Sequence, residues 1–356
     1  MKDDDFIKWV ESLKTAVPQF VDKMKDNEVA GKYRLSWSGD IASSNTHWGL
    51  AQSTFAARIL YIFDKMTPTT EEGLRDYILS FKRKDGFIYD SYVARKTLST
   101  RIINTLRNQN LDYLLNKENK RAETRQAVAA LINLNYKGPL NIKGLITSND
   151  GIERYIKNLD WRDPWGAASH VNHLIFFLKF CSGINNVLLA ELADTIENVL
   201  TADIELNKTI DTNKKIGANM KILMGMSLLN RDGKWISNKT LDVCLEALNK
   251  SENACVNFNT IYVITKCISY DSYRKDESIA ALLRAVDYWR NNFYWEKYGG
   301  FSFFQGRAVD YYYGAKLTTS KPEPDLHGTA MFVWGILIVA KALGFDAICG
   351  LKEPVL

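Results

Sequence analysis

His327-Gly328-Thr329-Ala330-Met331-Phe332-Val333-Trp334-Gly335 places apolar or small residues on every side of a helix and leaves no polar face for water. Such a helix is stable only where other helices cover it, and its glycines let their backbones come close. Ala122-Glu123-Thr124-Arg125-Gln126-Ala127-Val128-Ala129-Ala130-Leu131 has the same character, as does the segment opened by Ile216-Gly217-Ala218-Asn219-Met220. The segments 184–200 and 277–291 are more amphipathic and belong on the outside.

Outward from these runs, hydrophobic spacing predicts a first helix over 5–25, carried by Phe6, Trp9, Val10, Leu13 and Val17 and bent or interrupted at Pro18. A second helix is expected over 47–63, and Thr69-Thr70-Glu71-Glu72 reads as the start of a third. Further helices are predicted over 98–117, 121–134, 148–158, 166–181, 184–202, 214–230, 236–250, 255–269, 273–292 and 326–343. The buried kind begins near 47, 121, 166, 215, 256 and 326, with more polar helices intervening. That alternation predicts an all-α fold, an (α/α)6-type toroid of inner and outer helices formed by one domain over 1–356; an irregular bundle is the alternative. Strand alternation is scarce. The Gly- and aromatic-rich segment at 298–324 can hold a hairpin within 300–313.

The bulk numbers narrow the function. The net charge of +5 over 356 residues comes without a long basic block, so no nucleic-acid partner is expected. The five cysteines form no Cys-x-x-Cys pair, the first residues show no apolar signal segment, and Ala330 to Ala342 is short for a membrane span. A cytoplasmic protein without a membrane partner is therefore expected. Walker A, dinucleotide-binding and nucleophile-elbow motifs are missing.

In its helix alternation and its Gly-aromatic connectors, such as Lys84-Asp85-Gly86-Phe87 and Tyr298-Gly299-Gly300-Phe301, most of the chain resembles the α/α-toroid superfamily. That grouping includes terpenoid cyclases, protein prenyltransferase β-subunits and carbohydrate-active lyases and hydrolases. The resemblance implies a central cavity at one end of the inner helices, and it transfers no single activity. It directs attention to the helix starts, which are rich in polar residues: Asn45, His47, Trp48 and Gln52; Arg121, Glu123 and Arg125; Asp163 to His173; Lys215 and Asn219; Asn257 and Asn259; Asp325 and His327.

From these residues His170, His173, Asp163, Glu123 and Asp325 are the candidate acid–base groups. His47, Trp48, Arg121, Arg125, Trp165, Asn219, Asn257 and His327 are the candidates for holding a substrate. His170 and His173, three apart, share one helical face, where a neutral imidazole accepts a proton and Arg121 or Arg125 neutralises developing charge. Paired carboxylates would serve glycoside hydrolysis. Trp48, Trp165 and Tyr311-Tyr312-Tyr313 can wall a sugar. No cofactor is expected. Zinc is a disfavoured option because no local third ligand accompanies the two histidines. The Asp-x-Cys pair of prenyltransferases occurs only at Asp242-Val243-Cys244, in a segment read as outer, and neither terpenoid cyclase acid motif has a matching counterpart. The expected function is an enzyme, lyase or hydrolase, on an anionic oligosaccharide held in a central cavity; a terpenoid-cyclase-like enzyme and a non-catalytic glycan- or protein-binding module are the alternatives.

Overall fold

The computed structural model describes residues 1–42, 46–96, 98–108, 111, 114, 118–203 and 211–355, so Asn45 lies outside the described residues. The fold is all-α, with 14 α-helices and a few two-residue strands among the described residues. Helix α1 (Asp3–Lys23) opens with Asp3, Asp4 and Asp5 in its first turn, where the helix field favours negative charge. It is not interrupted at Pro18, one of the two outcomes expected there. The buried face of Val10, Leu13, Val17, Phe20 and Val21 holds the turn that lacks one hydrogen bond.

Helices α2 (Leu50–Ile62), α3 (Pro68–Leu79), α4 (Ser91–Lys96), α5 (Leu98–Asn108), α6 (Glu118–Asn133) and α7 (Asn149–Lys157) follow. They are succeeded by α8 (Pro164–Cys181), α9 (Asn186–Asp203), α10 (Thr212–Leu228), α11 (Asn238–Ala247), α12 (Ala254–Tyr270), α13 (Lys275–Asn292) and α14 (Leu326–Leu343). Their starts are locally encoded. Thr67, not Thr69 or Thr70, caps α3 by accepting the Thr70 amide at 3.2 Å, with Pro68 as the first helical residue. Asp211 caps α10 and Asn253 caps α12 in the same manner. The short α4 was not anticipated.

Six helices carry the buried character. Helix α2 packs on α6, α6 on α8, α8 on α10, α10 on α12, α12 on α14, and α14 on α2, so the packing order returns to its start. The more polar helices lie against neighbouring members of that succession: α1 on α14 and α2, α3 on α2 and α6, α11 on α10 and α12, α13 on α12 and α14. One hydrophobic core cluster runs from Phe6 to Cys349. Among the described residues α14 alone has the length and apolarity to cross a bilayer, and 67% of it is buried inside the protein.

The aromatic connector between α13 and α14 forms two small hairpins. Tyr294–Trp295 (β1) pairs with Gly300–Phe301 (β2), and Tyr311–Tyr312 (β3) with Ala315–Lys316 (β4). Gly299 turns the first with φ +78° and sits so close to α1 that a Cβ there would meet the Ala16 carbonyl oxygen at 2.6 Å. Tyr313 and Gly314 turn the second, both with positive φ, as a two-residue hairpin of this hand requires.

Candidate functional site

The polar residues at the helix starts divide by what already occupies them. Asp325, which precedes α14, is fully buried; its carboxylate accepts the Gly328 amide at 2.7 Å, Phe303 at 2.7 Å and Val309 at 3.0 Å. Burial still pushes its carboxyl up to about 7. The acid–base task expected of Asp325 therefore gives way to a structural one: it holds the connector on the start of α14. Asn257, expected to hold substrate, donates to the Ser251 and Asn253 carbonyls and accepts from the Trp289 indole at 3.2 Å. Asn219 donates to the Lys215 carbonyl one turn back, at 2.9 Å.

Two more candidates are already engaged with protein neighbours, one at the surface and one in the core. His47 is exposed, stacks on Phe81 with centroids 4.1 Å apart, and places Nε2 2.9 Å from the Ser80 hydroxyl at the end of α3. Trp48 is buried against Tyr92, and its carbonyl accepts the Tyr77 hydroxyl, so its faces are not open to a sugar. Glu123 accepts the Asp90 amide through one oxygen, while the other has no partner among the described residues. Burial and then the nearby Asp90 hold its carboxyl well above the carboxylate range.

The remaining candidates gather near the starts of α6, α8 and α14. Arg121 donates to the Tyr155 hydroxyl at 2.7 Å, and that hydroxyl lies 3.4 Å from His170 Nδ1. The rings of His170 and His173 are 6.4 Å apart. Burial, then the nearby cations, depress both imidazoles, His170 to about 3, so both are neutral at pH 7; His173 Nδ1 has no partner among the described residues. Asp163 precedes α8 and pairs with Lys214 at 3.4 Å. Trp165, 37% exposed, lies on Gly217, where a Cβ would come 2.5 Å from the indole. His327 stacks on Phe55 at 4.6 Å and faces Tyr312 edge-on at 6.0 Å.

About two turns further along, three of the six buried helices carry cations that sequence reasoning largely missed. Arg58 of α2 is 6% exposed and lies over the Trp334 ring of α14 at 4.5 Å. Arg125 of α6, also 6% exposed, lies 5.8 Å from the Phe176 ring of α8 and directs a guanidinium nitrogen to Met224 Sδ of α10 at 4.0 Å. Lys221 of α10 is held down to about 8, first by burial and then by Arg125. Arg58 is held down to about 9 for the same two reasons. Arg58 had a legible signal, as the lone long cation of an otherwise apolar helix in Phe55-Ala56-Ala57-Arg58-Ile59-Leu60, whereas Arg125 shares α6 with Lys120 and Arg121, and Lys221 shares α10 with Lys214 and Lys215.

Glu118, the first residue of α6, is the other missed group. Burial and then Asp163 raise its carboxyl to about 7, opposed by Lys221. The β3–β4 hairpin carries Tyr312, which donates to Gln126 at 3.3 Å, and at its turn Tyr313, held at φ +46° where a bulky residue is strained. Glu118, His170, Lys221, Cys255, Tyr313 and His327 all retain partial solvent accessibility although protein surrounds them closely enough to shift every one of their protonation equilibria through burial. Among the described residues no three His, Cys, Asp or Glu side chains come together as a metal site. Comparison with protein-family models, curated proteins and solved structures finds no match.

Proposed function

We propose that the closed packing order is that of an α/α toroid, and that the protein is an enzyme acting on an anionic saccharide held between its six inner helices. What supports this reading is the coupling of Glu118, whose carboxyl is raised to about 7 chiefly by burial, to Lys221, which in turn lies in the field of the buried Arg125 and Arg58. The cations would hold the anionic group at depth. Glu118 would protonate the leaving oxygen near the helix starts, and Asp163, within electrostatic reach of it, would activate water. Trp165 and Tyr313 supply flat aromatic surfaces beside them. Groups with partial accessibility inside an enclosing shell support a central cavity as the place of binding.

Elimination is the second reading, favoured by the unpartnered Nδ1 of neutral His173 beside Arg125. There the imidazole would remove the proton from the carbon bearing the uronate carboxylate while the guanidinium neutralises the charge that develops. The β carbon–oxygen bond breaks as the double bond forms, and the departing oxygen takes up a proton from the imidazolium or from water. Two buried arginines and the half-buried Lys221 weigh against hydrocarbon cyclisation. The test is incubation with oligosaccharides bearing uronate, sulfate or phosphate groups, reading new reducing ends and new carbon–carbon double bonds separately. Hydrolysis is expected to yield reducing ends only, and to be lost in Glu118→Gln while binding persists. Binding without either product, in the native protein, overturns the enzyme reading in favour of a binding module.

A further inference from the structure

Arg58, Arg125 and Lys221 come from three different helices of the closed succession, and the surroundings of the two arginines offer contact without countercharge. Arg58 rests on an indole, Arg125 on a phenyl ring and a thioether. Among the described residues no carboxylate lies within ion-pair distance of any of the three. The Cys255 thiol and then the Glu118 carboxyl act electrostatically on Lys221, and burial raises that carboxyl to about 7. Buried ions are normally paired, because removing a charge from water costs several kcal/mol unless an opposite charge replaces the lost solvation.

We infer that this layer is built for a phosphate-type dianion, a phosphate monoester or diphosphate carried by the substrate, bound jointly by Arg58, Arg125 and Lys221. The inference rests on the reading of this site as one for an anionic saccharide, and names the anion. A single carboxylate would balance one of the three charges. A phosphate monoester brings between one and a half and two charges at pH 7, roughly, with three acceptor oxygens. Guanidinium groups bind such oxygens in pairs with fixed geometry, and an ammonium on a flexible stem adapts to the one that remains. Aromatic and thioether neighbours leave the guanidinium edges without competing acceptors, so their donors are available to the ligand.

The experiment is titration calorimetry and thermal unfolding of the full-length protein with inorganic phosphate, diphosphate, glucuronate and acetate at constant ionic strength. Phosphate or diphosphate is expected to bind at least about tenfold more tightly than glucuronate and to raise the unfolding temperature. Glucuronate binding as tightly as phosphate overturns the dianion and leaves the anionic-saccharide reading standing. Failure of every anion to bind overturns both. The native protein decides these outcomes whether or not any variant folds. For location, Arg58→Met and Lys221→Met are compared by the same titration: loss of phosphate binding in a variant that still unfolds cooperatively supports the assignment. Undiminished binding in both moves the site elsewhere and overturns it.

Discussion

The start of α14 and the layer of Arg58, Arg125 and Lys221 are both buried and polar, yet they are wired in opposite ways. At Asp325 backbone amides take both carboxylate oxygens, and the group serves as a cap and an anchor for the connector. In the cation layer the side chains meet rings and a thioether, and among the described residues no carboxylate answers them. Helix starts have orphan N–H groups that a nearby polar side chain satisfies, so polarity there is readily explained by folding. Polarity two turns further along has no such local task. Unpaired, it disfavours folding, and its persistence points to a ligand.

That contrast can be broken most directly at Asp325. Asp325→Ala leaves three buried amides without their acceptor and is expected to destabilise the protein by about 3–5 kcal/mol, measured as the shift in urea midpoint. A loss under about 1 kcal/mol would remove its structural role. Next in size, Glu118→Gln is expected to lower turnover about 10²-fold with little change in unfolding. Such a result separates a chemical task from a capping one.

Arg58→Met is expected to leave the ligand-free protein as stable or to stabilise it by about 1 kcal/mol, because an unpaired buried charge is removed at the expense of one cation–π contact. Clear destabilisation would mean that the guanidinium is already compensated.

Lys221 sharpens the contrast through pH. Its ammonium is depressed from 10.5 to about 8 by burial and by Arg125. Between those values the unfolded chain binds more protons than the native one, so the contribution of Lys221 to stability is fully present above 10.5 and is lost as pH falls through 8. Anion binding should move the opposite way and weaken as pH rises through 8. Glu118 and Arg125 of α6, Arg58 of α2, Cys255 of α12 and His173 of α8 share this field, so the slopes are to be compared with those of Lys221→Met. The smallest effect is expected for His47→Ala: stability within about 0.5 kcal/mol and turnover unchanged, since the ring is exposed beside Phe81.

Of the site, the chain of residues announced only part. Arg125, His170, His173 and Asp163 were visible because they stand in or near polar helix starts. Tyr313 was visible only as part of an aromatic run, and Glu118, Arg58 and Lys221 were not singled out, since they come from separate segments that meet only through packing. His47 was misplaced for a related reason: its position three residues before α2 set its place along the axis but not the direction it faces.

The succession of buried and polar helices was determined by the sequence alone, because burial on all sides demands apolar residues on all sides, and that is a property of composition. The bounds of α6, α8, α10, α12 and α14 followed within a few residues from the same periodicity and from local caps. Only the tertiary structure decided which polar groups are answered and which are left facing one another. Helical spacing orients a side chain about its own axis, but the rotation of each helix against its neighbours is set by how all their surfaces pack. The unanswered cations exist only after that choice has been made.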